Sequence, residues 1–217
     1  MKYKLAVFDM DGTILDTLED LKNSVNYALC QLNYPLRTLD EVRNFVGNGI
    51  PKLIERAVPI GTDKENELKV YQIFTEHYKL HCNDKTCVYN GIIDCLKSLK
   101  NGGVKLCVVS NKDDYACKEL SKLHFGDLFD FSLGRSDGIN KKPAPDMVNI
   151  ALDYFNMKNV DACYIGDSDV DFMTAKNSNL DFIGVSWGFK GYQFLQNLGA
   201  KVIVNEASEI VDIFLND

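Results

Sequence analysis

The stretch Lys4-Leu5-Ala6-Val7-Phe8-Asp9-Met10-Asp11-Gly12-Thr13 is an apolar run that stops abruptly at two carboxylates two residues apart. A continuous apolar run suits a strand buried on both faces, as at the centre of a parallel sheet, and open α/β sheets bind ligands beyond the carboxyl ends of such strands. Asp9 and Asp11 therefore fall where a ligand is expected. Side chains two apart on an extended strand point the same way, but Gly12 lets the backbone turn, so the two carboxylates can separate into two roles. Alone, a D-x-D pair fits a solvated strand end equally well.

Other segments remove that ambiguity. Val104-Lys105-Leu106-Cys107-Val108-Val109 ends in Ser110-Asn111-Lys112, and Cys163-Tyr164-Ile165 ends in Gly166-Asp167-Ser168-Asp169-Val170-Asp171. Between them lies Lys141-Lys142-Pro143-Ala144-Pro145. With Asp9-x-Asp11-Gly12-Thr13 these resemble, in order and spacing, the four motifs of the haloacid dehalogenase-like hydrolase superfamily, over nearly the whole chain. The resemblance implies an α/β fold, a doubly wound parallel sheet with an inserted all-helical cap domain. It also implies a phosphate-binding role for Thr13.

Hydrolysis of a phosphate monoester needs an in-line nucleophile, charge neutralisation and a proton for the departing oxygen. Asp9 fits the nucleophile, since carboxylates form aspartyl-phosphates and an adjacent divalent cation keeps them ionised. Mg²⁺ suits an oxygen-only site of Asp9, the backbone carbonyl of Asp11 and Asp167, and the resemblance adds Asp171 to its outer part. Asp11 fits the acid that protonates the leaving oxygen and the base that then activates water. Dehalogenases of the superfamily lack an acid there and its ion-pumping ATPases carry Thr, so Asp11 points to phosphate transfer to water; the plainer reading is a turn cap beside Gly12. The Ser110 hydroxyl and the Asn111 N–H suit phosphoryl oxygens, though a Ser-Asn pair is also a good helix N-cap. Lys142 can neutralise both Asp9 and phosphate; it is preferred to Lys141 because the superfamily lysine directly precedes Pro-x-Pro.

Composition narrows the partners. With 217 residues, 46% of them hydrophobic, the chain can bury a sizeable core, and a net charge of −7 argues against a nucleic-acid partner. No apolar stretch reaches about 18 residues, and the first strand begins almost at once, so a cytoplasmic protein without a membrane segment or signal peptide is expected. A monomer or weak homodimer acting on a small phosphorylated metabolite is the corresponding expectation. Seven cysteines without a C-x-x-C pair indicate neither a disulfide framework nor a zinc ribbon. His77 and His81, four apart on a predicted helix with Cys82 and Cys87 nearby, read either as a transition-metal site or as an ordinary helix surface.

The pattern Leu18, Leu21, Val25, Ala28, Leu29, Leu32 predicts a helix of about 16 residues ended by Pro35. A capping box, Thr38-Leu39-Asp40-Glu41, opens a second helix to Val46, and Ile50–Val58 and Thr62–His81 supply two more. Residues 17–82 thus form the expected cap, and residues 1–16 with 83–217 the α/β core. The core elements are expected as helix 91–101, strand 104–109, helix 113–123, strand 129–133, helix 145–156, strand 161–165, helix 169–177, strand 181–185, helix 191–198, strand 201–204 and helix 207–215.

Within the cap, Val46-Gly47-Asn48-Gly49 followed by Glu55-Arg56-Ala57 resembles the phosphoglycolate phosphatase branch of the superfamily. There Gly47 and Gly49 would let backbone approach a small ligand and Asn48 would hydrogen-bond a carboxylate; G-N-G is also ordinary helix-cap and linker chemistry. Val185-Ser186-Trp187-Gly188-Phe189 resembles the turn after the fifth core strand that borders the site, though Trp187 also suits simple packing. The resemblance implies an Mg²⁺-dependent phosphatase, with phosphoglycolate the leading substrate. Pyrophosphatase, nucleotidase, sugar-phosphate phosphatase, phosphomutase and a non-catalytic phospho-ligand-binding scaffold remain as alternatives.

Overall fold

Strand β1 (Leu5–Phe8) has all four side chains buried and lies inside a sheet in which every pairing is parallel. The computed structural model describes residues 2–216. The chain divides into two compact units, one comprising the residues up to Leu15 and from Val88 onward, the other Asp16–Cys87.

The helical unit holds α1 (Leu18–Gln31), α2 (Leu39–Phe45), α3 (Ile50–Ala57) and α4 (Lys64–His81). Before α1, β2 (Leu15–Asp16) pairs with β3 (Cys87–Val88), two residues each, where the chain leaves and re-enters the sheet unit. Helix α1 turns Leu21, Val25, Ala28 and Leu29 inward and packs on α4, which contributes Val70, Phe74 and Tyr78. Thr38 and Glu41 form the capping box that opens α2, and Asp63 caps α4 through Asn66 N. Residues 82–87 stay with this unit because buried Asp20 holds them: its carboxylate accepts from Lys85 N, Thr86 N and Thr86 Oγ1 at 2.8–3.0 Å.

The second unit continues with α5 (Ile92–Asn101), β4 (Lys105–Asp113), α6 (Asp114–Phe125), β5 (Phe131–Arg135), α7 (Asp146–Phe155) and β6 (Ala162–Gly166). It ends with α8 (Asp169–Asn177), β7 (Asp181–Val185), α9 (Gly191–Leu198), β8 (Ile203–Val204) and α10 (Ala207–Leu215). Its sheet order is β5-β4-β1-β6-β7-β8, a doubly wound α/β arrangement whose direction of winding reverses at β1. Period-two alternation sends Leu5, Val7, Cys107 and Val109 to one face, where they meet Met147, Val148, Ala151 and Leu152 of α7. Burying each such large side chain contributes about 1.5–3 kcal/mol. Among the described residues no helix is long and apolar enough to cross a membrane.

Candidate active site

Three strands deliver their polar groups to one end of the sheet. Asp9 extends β1, its N–H donating to Ile165 O at 2.9 Å, and Asp167 and Asp171 follow β6. Asp9, Asp167 and Asp171 are all buried, and each offers an oxygen within 4.8 Å of the others. Two glycines make this approach possible. Gly12, at φ +83°, has no room for a Cβ, which would lie 2.5 Å from Asp167 Oδ2, and a Cβ on Gly188 would collide with Asp167 and the Gly12 carbonyl.

Lys142 sits among these carboxylates, its side chain 2% exposed. Its Nζ donates to Asp171 Oδ1 and to the Tyr164 hydroxyl, each at 2.8 Å, and is ion-paired at 2.8 Å with Asp9 Oδ1, which has no hydrogen-bond partner. Tyr164 then donates to Val109 O at 3.1 Å. The Lys142 backbone is gripped by Asn111, whose Oδ1 accepts from Lys142 N at 2.9 Å and whose Nδ2 donates to Lys142 O at 3.0 Å. Asp171 has a second attachment, because its Oδ2 accepts from Ser168 Oγ at 2.5 Å and Ser168 N at 3.2 Å in the capping box that opens α8. Asp167 Oδ2 accepts from Phe189 N at 2.7 Å.

Burial pushes the Asp9 carboxyl up to about 7, with Asp171 adding to the rise and Lys142 opposing it. Burial, then Asp171 and Asp9, hold Asp167 well above the carboxylate range. Burial would lower the Lys142 ammonium, but Asp171 and Asp9 outweigh it and keep Lys142 well above the usual lysine range. Three desolvated carboxylates thus face one buried ammonium. The oxygen-only donor set and its excess negative charge fit a hard divalent cation, with Asp9, Asp167 and Asp171 as the available side-chain ligands. Among the described residues this is the one group of three or more His, Cys, Asp or Glu side chains close enough to hold a metal.

Asp11 stands beside this cluster, paired with Lys112: Nζ lies 3.0 Å from Oδ1 and 3.2 Å from Oδ2. Ser110 is 2% exposed, and its Oγ accepts from Lys112 N at 3.3 Å. Thr13 is fully buried, with no hydrogen-bond partner for Oγ1, and its carbonyl accepts from Trp187 Nε1 at 3.0 Å. The sheet unit thus gathers Asp9, Asp11, Thr13, Ser110, Asn111, Lys142, Asp167 and Asp171 around the ends of β1, β4 and β6. Gly47, Asn48 and Gly49 belong to the helical unit, where Arg56 braces their loop by donating to Phe45 O at 2.7 Å and Asn48 Oδ1 at 2.8 Å.

His77 and His81 stack at 4.2 Å, with His77 also against Tyr27 at 4.0 Å. His77 Nδ1 pairs with Ser24 Oγ at 3.0 Å and His81 Nδ1 with Asp84 Oδ2 at 2.8 Å, so these rings belong to a packed helix surface.

Sequence reasoning assigned no role to Lys112, Tyr164 or the side chain of Asn111. Strand β4 runs on to Asp113, four residues past the apolar run, which puts Ser110 and Lys112 on the same side by strand alternation. A tyrosine in an otherwise apolar central strand was the available signal for Tyr164, since a buried hydroxyl needs partners.

A family model described as haloacid dehalogenase-like hydrolase matches residues 6–185. A phosphoglycolate phosphatase of Psychrobacter arcticus is 32% identical over 224 residues, covering 99% of this chain and 97% of its own length. Among solved structures, a Lactobacillus delbrueckii subsp. bulgaricus protein provisionally named a phosphoglycolate phosphatase superposes with a TM-score of 0.95 at 38% identity, over 100% of both chains. One from Clostridium acetobutylicum, assigned by prediction as a phosphatase, gives 0.87 at 30% identity, again over 100% of both.

Proposed function

Because the chain belongs to the haloacid dehalogenase-like hydrolases, we propose that it is a phosphatase which hydrolyses small phosphate monoesters through a phosphoryl-Asp9 intermediate, with Mg²⁺ as cofactor and phosphoglycolate as substrate. The observation that carries this reading is the placement of Asp9 at the end of β1, buried among Lys142, Asp167 and Asp171, with Asp11 two residues further on. The substrate is inferred from the similar phosphoglycolate phosphatases, which align along the whole chain.

The steps follow from the groups present. An Asp9 oxygen attacks phosphorus in line, the ester P–O bond breaks, and protonated Asp11 gives its proton to the departing oxygen. Water then attacks the phosphoryl-Asp9, Asp11 takes the water's proton, and the Asp9–phosphorus bond breaks to release inorganic phosphate. Phosphatases of this superfamily generally use a metal ion; bound by Asp9, the Asp11 carbonyl, Asp167 and Asp171, Mg²⁺ would screen the repulsion between two anions and stabilise charge on the phosphoryl oxygens. Lys142 holds Asp9 in place and contributes positive charge, while Asn111 fixes the Lys142 backbone. Ser110 Oγ, Asn111 N–H and the partnerless Thr13 Oγ1 are the donors assigned to phosphoryl oxygens.

Phosphate release from p-nitrophenyl phosphate, with and without EDTA, tests the enzyme assignment. EDTA-sensitive release, restored by Mg²⁺, is expected; release indifferent to EDTA removes the metal from the mechanism, and no release with any ester removes the activity. Ranking phosphorylated metabolites by kcat/KM then tests the substrate, since that ratio measures discrimination directly. Phosphoglycolate is expected at the top.

A further inference from the structure

Lys112 is a second buried ammonium at this end of the sheet, and the mechanism above gives it nothing to do. Its side chain is 3% exposed, and its Nζ lies 3.0 Å and 3.2 Å from the two oxygens of Asp11. The two lysines have different surroundings. Lys142 is enclosed by Asp9, Asp171 and Tyr164, the phosphoryl-side groups, whereas Lys112 is paired with the carboxylate that must face the leaving oxygen.

Distance links Lys112 to the leaving group. To exchange a proton, an Asp11 oxygen must come within about 2.6–3.2 Å of the ester oxygen, so the Lys112 ammonium stands one such contact beyond it. In a phosphate ester of a 2-hydroxy acid, the carboxyl carbon is two bonds, about 2.4 Å, from that same oxygen. A carboxylate turned from that oxygen toward Lys112 would enter the range of Nζ with phosphorus still beside Asp9. The contact is also favourable in charge, since once Asp11 carries the proton it must deliver, a substrate carboxylate supplies the negative charge that the desolvated ammonium needs. A neutral leaving group has no equivalent charge to offer.

We propose that Lys112 is the residue that reads the leaving group, its ammonium shared between Asp11 and an anionic group two bonds from the ester oxygen, so that the enzyme selects phosphate esters of small 2-hydroxy acids. This rests on the phosphatase reading and deepens its substrate assignment. A charge-assisted hydrogen bond of this kind corresponds to about 10- to 150-fold discrimination.

The test compares kcat/KM for phosphoglycolate with that for 2-hydroxyethyl phosphate, which replaces the carboxylate by a neutral hydroxymethyl group, in the wild type, Lys112→Gln and Lys112→Arg. The wild type is expected to favour phosphoglycolate by about 10- to 150-fold, the Gln variant to lose most of that ratio, and the Arg variant to keep much of it. A structural role alone would lower both substrates together and leave the ratio unchanged, and an unchanged ratio in Lys112→Gln overturns the proposal. If that variant does not fold, Lys112→Met is read in the same way, and the wild-type ratio is a separate check. A wild type that hydrolyses both esters in an EDTA-sensitive manner without preference overturns the role of Lys112 while the phosphatase reading stands. A wild type that hydrolyses neither overturns both.

Discussion

The ion pairs at the catalytic end of the sheet and those of the helical unit are built differently. At the end of the sheet, Lys142 joins Asp9 to Asp171, and Lys112 joins Asp11 across 101 positions of sequence, both ammonium groups being buried. In the helical unit, Arg37–Glu41, Arg43–Asp40, Lys52–Glu55, Lys64–Glu67, Lys69–Glu65 and His81–Asp84 each span three or four residues and lie toward solvent. The first kind exists only once strands distant in sequence have been assembled, and a desolvated charge that loses its partner is strongly destabilising. The second kind forms along a single helix or the turns that flank it, and water replaces a lost partner at little cost. Chemistry is thus fixed where substitutions are least tolerated, while a charged helical surface is free to vary.

Asp9→Asn probes this contrast most severely. It removes the nucleophile while preserving size, and turnover is expected to fall by more than about 10⁴-fold with the circular dichroism spectrum unchanged. Near-normal turnover would show that phosphorus is never bonded to this residue. Asp11→Asn is the next largest, with an expected loss of about 10²–10⁴-fold in steady-state rate and phosphate binding retained. In rapid-mixing experiments with p-nitrophenyl phosphate, whose leaving group needs little protonation, it should give a burst approaching about one equivalent of p-nitrophenol and then stall as phosphoryl-enzyme accumulates. Unaltered single-turnover and steady-state rates would remove Asp11 from proton transfer. Lys142→Met acts on stability as well as rate: it leaves Asp9 and Asp171 buried without their shared ammonium, and a loss of about 3–5 kcal/mol in denaturant unfolding is expected. Added Mg²⁺ should recover part of that loss, because cation binding to the folded state alone stabilises it.

The contrast also explains what the sequence could and could not reveal. Helices 169–177, 191–198 and 207–215 and strand 181–185 begin and end where expected, because local caps and apolar alternation set their limits, as Ser168 and Asp171 do for α8. Strand β4 was harder to read. Its last four residues, Ser110-Asn111-Lys112-Asp113, are polar and resemble a loop, yet they stay extended beside β5, with Asp113 opposite Arg135 after a register shift. The two-residue strands β2 and β3 are too short to carry any periodicity. Asp9, Asp11, Asp167 and Asp171 stood out because each follows an apolar strand, and Lys142 because it directly precedes a distinctive Pro-x-Pro segment. Lys112 and Tyr164 did not, since their meaning lies in partners 101 and 22 positions away, a relation that neither propensity nor spacing encodes.

Asp20 is the exception that sharpens the comparison, being the helical unit's own long-range buried carboxylate. It is 1% exposed and accepts from Lys85 N, Thr86 N and Thr86 Oγ1, tying the start of α1 to the segment that returns toward the sheet. If burial and sequence distance decide sensitivity, and not membership of one unit or the other, Asp20→Ala should behave like a sheet-end substitution on a smaller scale. Leaving buried donors without an acceptor costs about 1–3 kcal/mol, which urea titration resolves. Lys69→Ala, which removes an exposed partner of Glu65 one turn away, should leave the unfolding midpoint unchanged within error. Equal effects from the two substitutions would mean that the helical unit responds as a whole, and would end the distinction drawn between its buried tie and its solvated pairs.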